Sequence, residues 1–160
     1  MPRPSSASAG NLLEAHEALD QLSLPTGPAS AARTSLRRGL AASLIRAERG
    51  ALEALAVLGR PSAELWYQAT VISPFLSLAY ERFLRAELLH ETGRDAEALG
   101  WYGSIAERSP FELAYAAPAQ LRRAEIFARH GDREAEQAAY DQALTLWANA
   151  DPELRLAASR

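Results

Sequence analysis

Three histidines, a scatter of serines and 20 acidic residues are the groups in this 160-residue chain that could carry out acid–base, nucleophilic or metal chemistry. A zinc protease needs two histidines one helical turn apart, as in HExxH, and a serine hydrolase needs its nucleophile on a tight GxSxG elbow. His16, His90 and His130 lie far apart, neither string occurs, and there is no cysteine to supply a thiolate. Gly-rich phosphate loops and the HRD and DFG strings of kinases are absent as well. The carboxylates stand mostly at helix caps or in helical charge pairs. Glu81 with Arg85, and Glu125 with Arg129, are four apart with the acid first, an order that stabilises a helix by about 0.2–0.5 kcal/mol and predicts solvated faces. His90 and His130 fall at the ends of predicted helices, where the dipole favours positive charge, and His16 on a solvated face. The residues therefore predict a protein that is not an enzyme and has no cofactor and no metal.

What does recur is aromatic. Trp66-Tyr67 precedes Ser73-Pro74-Phe75, and Trp101-Tyr102 precedes Ser109-Pro110-Phe111. Each copy continues through Leu78-Ala79-Tyr80 or Leu113-Ala114-Tyr115, then Arg85-Ala86-Glu87 or Arg123-Ala124-Glu125, then Gly93 or Gly131, and then Tyr102 or Tyr140. Such a period, in the mid-thirties, implies stacked helix hairpins, because one unit cannot bury its apolar face alone. Aromatic residues at the repeat period predict packing between units.

The elements that hold these residues follow from periodicity and punctuation. Residues 1–10 read as a disordered N-terminus, and 11–35 as a short helix capped by Asn11 followed by a linker. Residues 36–75 form an irregular first repeat. Its first helix carries Leu36, Leu40, Leu44 and Ala47 on one stripe, 51–58 form a second helix, and Ser62 caps a third. The second repeat, 76–110, has a helix from Phe75 to His90, a turn at Gly93 and a helix capped by Asp95 that runs to about Arg108. In the third, 111–152, the first helix begins near Pro118, which lacks the N–H an inner position needs. Gly131 then turns the chain, Asp132 caps the last long helix, and 153–160 form a tail.

All 17 basic residues are arginine, acids are interleaved with them, and the net charge is −3. No basic stripe attracts a phosphate backbone, so nucleic acid is not an expected partner. No run approaches the roughly 18 apolar residues of a membrane span, and no secretory leader is read at the N-terminus. The expectation is a cytoplasmic protein without a membrane partner.

The second and third units resemble a tetratricopeptide-repeat protein: Ala86 and Ala98 fall at its small positions, Tyr102 at its aromatic position and Pro110 at its terminal proline. The third unit keeps Ala124, Gly131, Tyr140 and Ala143, with Glu136 in place of a small residue. The segment from Ser73 to Leu154 is also similar to the carboxy-terminal repeat region of large bacterial signalling proteins. The resemblance implies an all-α, right-handed α-solenoid of about three units plus a short N-terminal helix. It also implies a non-enzymatic scaffold that binds a protein or peptide on the concave face lined by the first helices. Carried over, that face comprises Tyr80, Phe83, Glu87 and His90 with Leu121, Glu125 and Arg129, and the expectation is that Phe83→Ala with Glu87→Arg abolishes capture. The clamp by which chaperone-binding members hold a terminal carboxylate needs lysine and is not expected. The alternative is a self-assembling structural module or a detached fragment of a larger regulator, with a homo-oligomer as its product.

Overall fold

The structure, a computed structural model, describes residues 6–23, 31–59, 78–105 and 112–148. The SPF strings, the Trp66-Tyr67 pair, the Ser62-capped helix and the 153–160 tail lie outside the described residues. Seven α-helices and no strand are found among those described: α1 Ser6–Ser23, α2 Ala31–Arg49, α3 Ala51–Leu58, α4 Ala79–Glu91, α5 Asp95–Gly103, α6 Leu113–His130 and α7 Arg133–Trp147.

Helices adjacent in sequence pack together, most extensively α2 with α3, α4 with α5 and α6 with α7. The helices that open these pairs, α2, α4 and α6, also touch in series, and α4 is in addition flanked by α3. Alanines line the core between these helices. Ala42, Ala54, Ala86, Ala98 and Ala124 are wholly buried. Around them Leu58, Leu84 and Leu88 fill the α2–α3–α4 layer, and Leu89, Tyr102, Ile105 and Ile126 fill the α4–α5–α6 layer, with Leu55 packed against both.

Several boundaries behave as local chemistry dictates. Gly131 ends α6 at φ 76°, and Gly93 has the same φ in the α4–α5 turn. Glycine holds such a left-handed turn without the cost a Cβ imposes. Asp132 caps α7 by accepting the Ala135 N–H at 3.1 Å.

Other boundaries differ from the sequence reading. α1 begins at Ser6, inside the stretch read as disordered, and α2 begins at Ala31, inside the stretch read as linker. Ala31, Ala32 and Arg33 are strong helix formers with nothing to stop them. α4 starts at Ala79 rather than Phe75, because Leu78 sits at φ 53°, outside the right-handed helix. α5 stops at Gly103 rather than near Arg108. α6 begins at Leu113 and carries Pro118 inside it, so the helix does without the bond that residue would have donated. Asp95 is the first residue of α5 and not its cap. That position belongs to Arg94, whose side chain makes no capping bond.

The buried stripe of α2 is also displaced from the expected leucines. Leu44 is buried, Leu36 is exposed, and Ser35, Gly39 and Ala42 occupy the close contacts. A Cβ at Gly39 would lie 3.2 Å from the Tyr80 ring, so α4 meets α2 where small residues allow it.

Candidate functional site

On α4 the helical repeat alternates apolar and charged residues, and packing buries both kinds. Glu81, Arg82, Arg85 and Glu87 are each less than a tenth exposed, although the sequence reading assigned the Glu81–Arg85 pair to a solvated face. The physical reason is position: helices pack around α4 on more than one side, so no full face of it meets water.

Glu87 ties together more helices than any other of these residues. Its carboxylate accepts the Tyr102 hydroxyl at 2.6 Å, the Arg122 Nε at 2.8 Å and the Arg46 Nη2 at 3.4 Å, joining α2, α5 and α6 to α4. Burial pushes the Glu87 pKa up, but the Tyr102 bond and the two guanidiniums outweigh it and hold the value below the usual carboxylate range. The Tyr102 phenol moves the other way, raised by burial and by the anion it faces. Arg46 also reaches Glu91, and Arg122 reaches Glu125 at 2.8 Å, which extends an alternating row of charges across α2, α4 and α6.

A second network gathers on Asp95. One carboxylate oxygen meets His90 Nδ1 at 2.8 Å, and the other meets Arg129 Nη2 at 2.6 Å and His130 Nε2 at 2.8 Å. The ends of α4 and α6 are thereby tied to the start of α5, where a helix N-terminus itself favours a carboxylate. Burial raises the Asp95 pKa, yet the bonds from Arg129, His130 and His90 dominate and hold it far below the ordinary value. Among the described residues neither ring bonds a hydroxyl nucleophile, and no group of three or more acidic or histidine side chains is placed to hold a metal.

Two further joints involve α4. Arg85 donates to the Gly59 carbonyl at 2.7 Å and the Leu58 carbonyl at 3.3 Å, capping the end of α3, and lies 5.4 Å from the Trp101 ring centroid. It also pairs with Glu81, which accepts the Ser35 hydroxyl. Arg82 bridges the wholly buried Glu112, before α6, and the Ser104 carbonyl after α5.

The seven residues assigned to the binding face are distributed among these features. Tyr80 is 40% exposed and its hydroxyl bonds Ser43 of α2. Phe83, half-buried, packs edge-on to Tyr102 at 5.7 Å and tilted against Tyr115 of α6 at 5.4 Å. Glu87 is spent within the fold. His90 and Arg129 meet through Asp95. Glu125 is exposed and bonds Arg122, not Arg129 as its spacing suggested. Leu121 is half-buried and enters none of these bonds. His16 is exposed but bonds Glu48 at 2.8 Å, linking α1 to α2.

Sequence reasoning missed Arg46, Arg82, Glu112 and Arg122, and read Asp95 only as a helix cap. The available signal was the density of charge on α4, where Glu81, Arg82, Arg85, Glu87 and Glu91 fall within thirteen residues. An open cleft of about 470 Å³ lies elsewhere, between the end of α5, α6 and α7, lined by residues that include Ile105, Gln120, Asp141 and Leu146. None of the seven residues lines it. No protein-family model, curated protein or solved structure matches this chain.

Proposed function

We propose that the chain is a non-enzymatic, tetratricopeptide-like scaffold that holds a peptide segment of a protein partner across α2, α4 and α6. The observation that carries this reading is the aromatic patch of Tyr80, Phe83 and Tyr115. It crosses from α4 to α6, and its most exposed member, Tyr80, touches α2 at Gly39 and Ser43. Rigid aromatic side chains are efficient anchors for a peptide because little side-chain freedom is lost on contact. The charged row of Arg46, Glu91, Arg122 and Glu125 on the same three helices offers both signs of charge, which fixes register and direction more than it adds affinity. The all-helical packing, in which α2, α4 and α6 touch in series, is compatible with a right-handed repeat stack. A cytoplasmic setting fits this reading, and among the described residues no helix is long and apolar enough to cross a membrane.

Glu87→Arg is not a test of this face, since it would place a third cation between Arg46 and Arg122 and strain the fold. Tyr80→Ala removes an exposed anchor instead. In affinity capture from a lysate of the source organism, a partner held by the wild type should be lost with Tyr80→Ala while the circular dichroism spectrum is unchanged. Capture of the same proteins by both forms would refute the assignment.

Self-assembly is favoured by a different observation, the exposure of Leu52 on α3 and Leu144 on α7, at 68% and 63%. A mass that stays monomeric by light scattering at high concentration would dismiss it.

A further inference from the structure

Shifted by 38 residues, Glu87 and Tyr102 become Glu125 and Tyr140. The first pair is bonded at 2.6 Å and covered by α6, which supplies Arg122. The second pair stands on the last two described helices, where Glu125 is 46% exposed at its side chain and the Tyr140 hydroxyl bonds no described group. The residues that α4 and α5 present to α6 thus recur in sequence on α6 and α7, and no described helix follows α7 to cover them.

The repeat is not a plain copy, and its departures specify an occupant. α6 engages α4 and α5 with two arginines seven residues apart, Arg122 on Glu87 and Arg129 on Asp95. On the repeated surface Glu125 keeps the first acceptor, but Arg133 stands in the place of Asp95. A helix carrying arginine at both positions would meet a cation at the second, whereas one carrying arginine and then, two turns on, a carboxylate would satisfy both. We propose that the α6–α7 surface around Glu125, Arg133 and Tyr140 docks an amphipathic helix of a partner protein, with an arginine at one position and an aspartate or glutamate seven residues later. This surface shares Glu125 with the charged row beside the Tyr80 patch, but Tyr80→Ala tests only the patch and the peptide titration tests only the α6–α7 surface, so each proposal can fail without the other.

The test uses the full chain and a labelled peptide with the 18-residue sequence Leu113–His130 carrying Arg129→Glu, a change that also bars it from replacing α6 at Asp95. Fluorescence anisotropy should show saturable binding that Glu125→Arg weakens at least about tenfold, the scale expected when one member of a close charge pair is reversed. Adding Arg122→Glu to the peptide should restore binding to the Glu125→Arg protein, and Tyr80→Ala should leave the affinity unchanged. Glu125 is exposed, so its variant should fold, which circular dichroism checks. No saturable binding, binding indifferent to the charge reversals, or self-association of the chain that the peptide does not displace would each overturn the proposal.

Discussion

Glu87→Gln probes the joint on which most of the fold converges, and its magnitude can be worked from the contacts. The substitution keeps size and hydrogen-bonding atoms but removes the charge that faces Tyr102, Arg122 and Arg46. A hydrogen bond involving a charged group contributes about 1.5–3 kcal/mol and a neutral one about 0.5–1.5. Losing charge assistance from two short bonds therefore costs about 2 kcal/mol. Arg122 is 42% exposed at its side chain and can turn to Glu125, so its share is smaller. The expected loss is about 1–2 kcal/mol, which lowers the melting temperature by about 2–8 °C for a domain of this size. The pH dependence gives an independent check. Because the folded pKa of Glu87 is lowered, its contribution is complete above the unfolded value, about 4.3, and is lost as pH falls through the folded value. The gap between wild type and Glu87→Gln should thus be full at pH 7 and narrow as the pH falls below about 4. Calorimetric melts of both proteins across that range decide the matter. Equal melting temperatures at pH 7, or a gap that stays constant into acid, would refute the view that a charged Glu87 ties the first helices together.

Two further substitutions test other links. Pro118→Ala restores a helical N–H within α6. An inner proline disfavours a helix by about 3 kcal/mol and the unfolded chain gains back part of that, so a stabilisation of roughly 1–2 kcal/mol is expected in denaturant melts. A loss of stability would show that the ring's packing outweighs the missing bond. Asp95→Asn should loosen the end of α6, since an amide cannot accept from His90, Arg129 and His130 together. Hydrogen exchange at Arg129 to Gly131 should quicken at pH 7. In the wild type the contact should survive at pH 4, because the Asp95 carboxyl stays ionised well below the ordinary range and its contribution is lost only as pH falls through that lowered value. Unchanged exchange in the variant would remove Asp95 as the tie.

Much of the helical framework is legible in the sequence because its causes are local. Gly93, Gly131 and Asp132 act through their own backbone or the next turn, and the turns and cap they form stand where the residues put them. The limits of α4 and α6 were less legible. Leu78 leaves the helix at a residue with no intrinsic reason to do so, and Pro118 stays within one despite its missing donor, since packing against α4, α5 and α7 offsets a single lost bond. Of the seven residues assigned to the binding face, Tyr80, Glu125 and Arg129 remain exposed, whereas Glu87 is consumed by the fold.

The sequence by itself determined that this is a helical chain with a repeated unit, since helix periodicity, turn glycines and the spacing of repeated strings are properties of neighbours along the backbone. Only the tertiary structure decided what the charged residues do. Glu87 and Glu125 occupy the same place in the repeat, yet one is buried among three donors and the other meets solvent. Their own residues are alike; what differs is that α4 is covered by the helices that follow it, whereas only α7 follows α6 among the described residues. Desolvation, and with it the strength of every ion pair, depends on that neighbour.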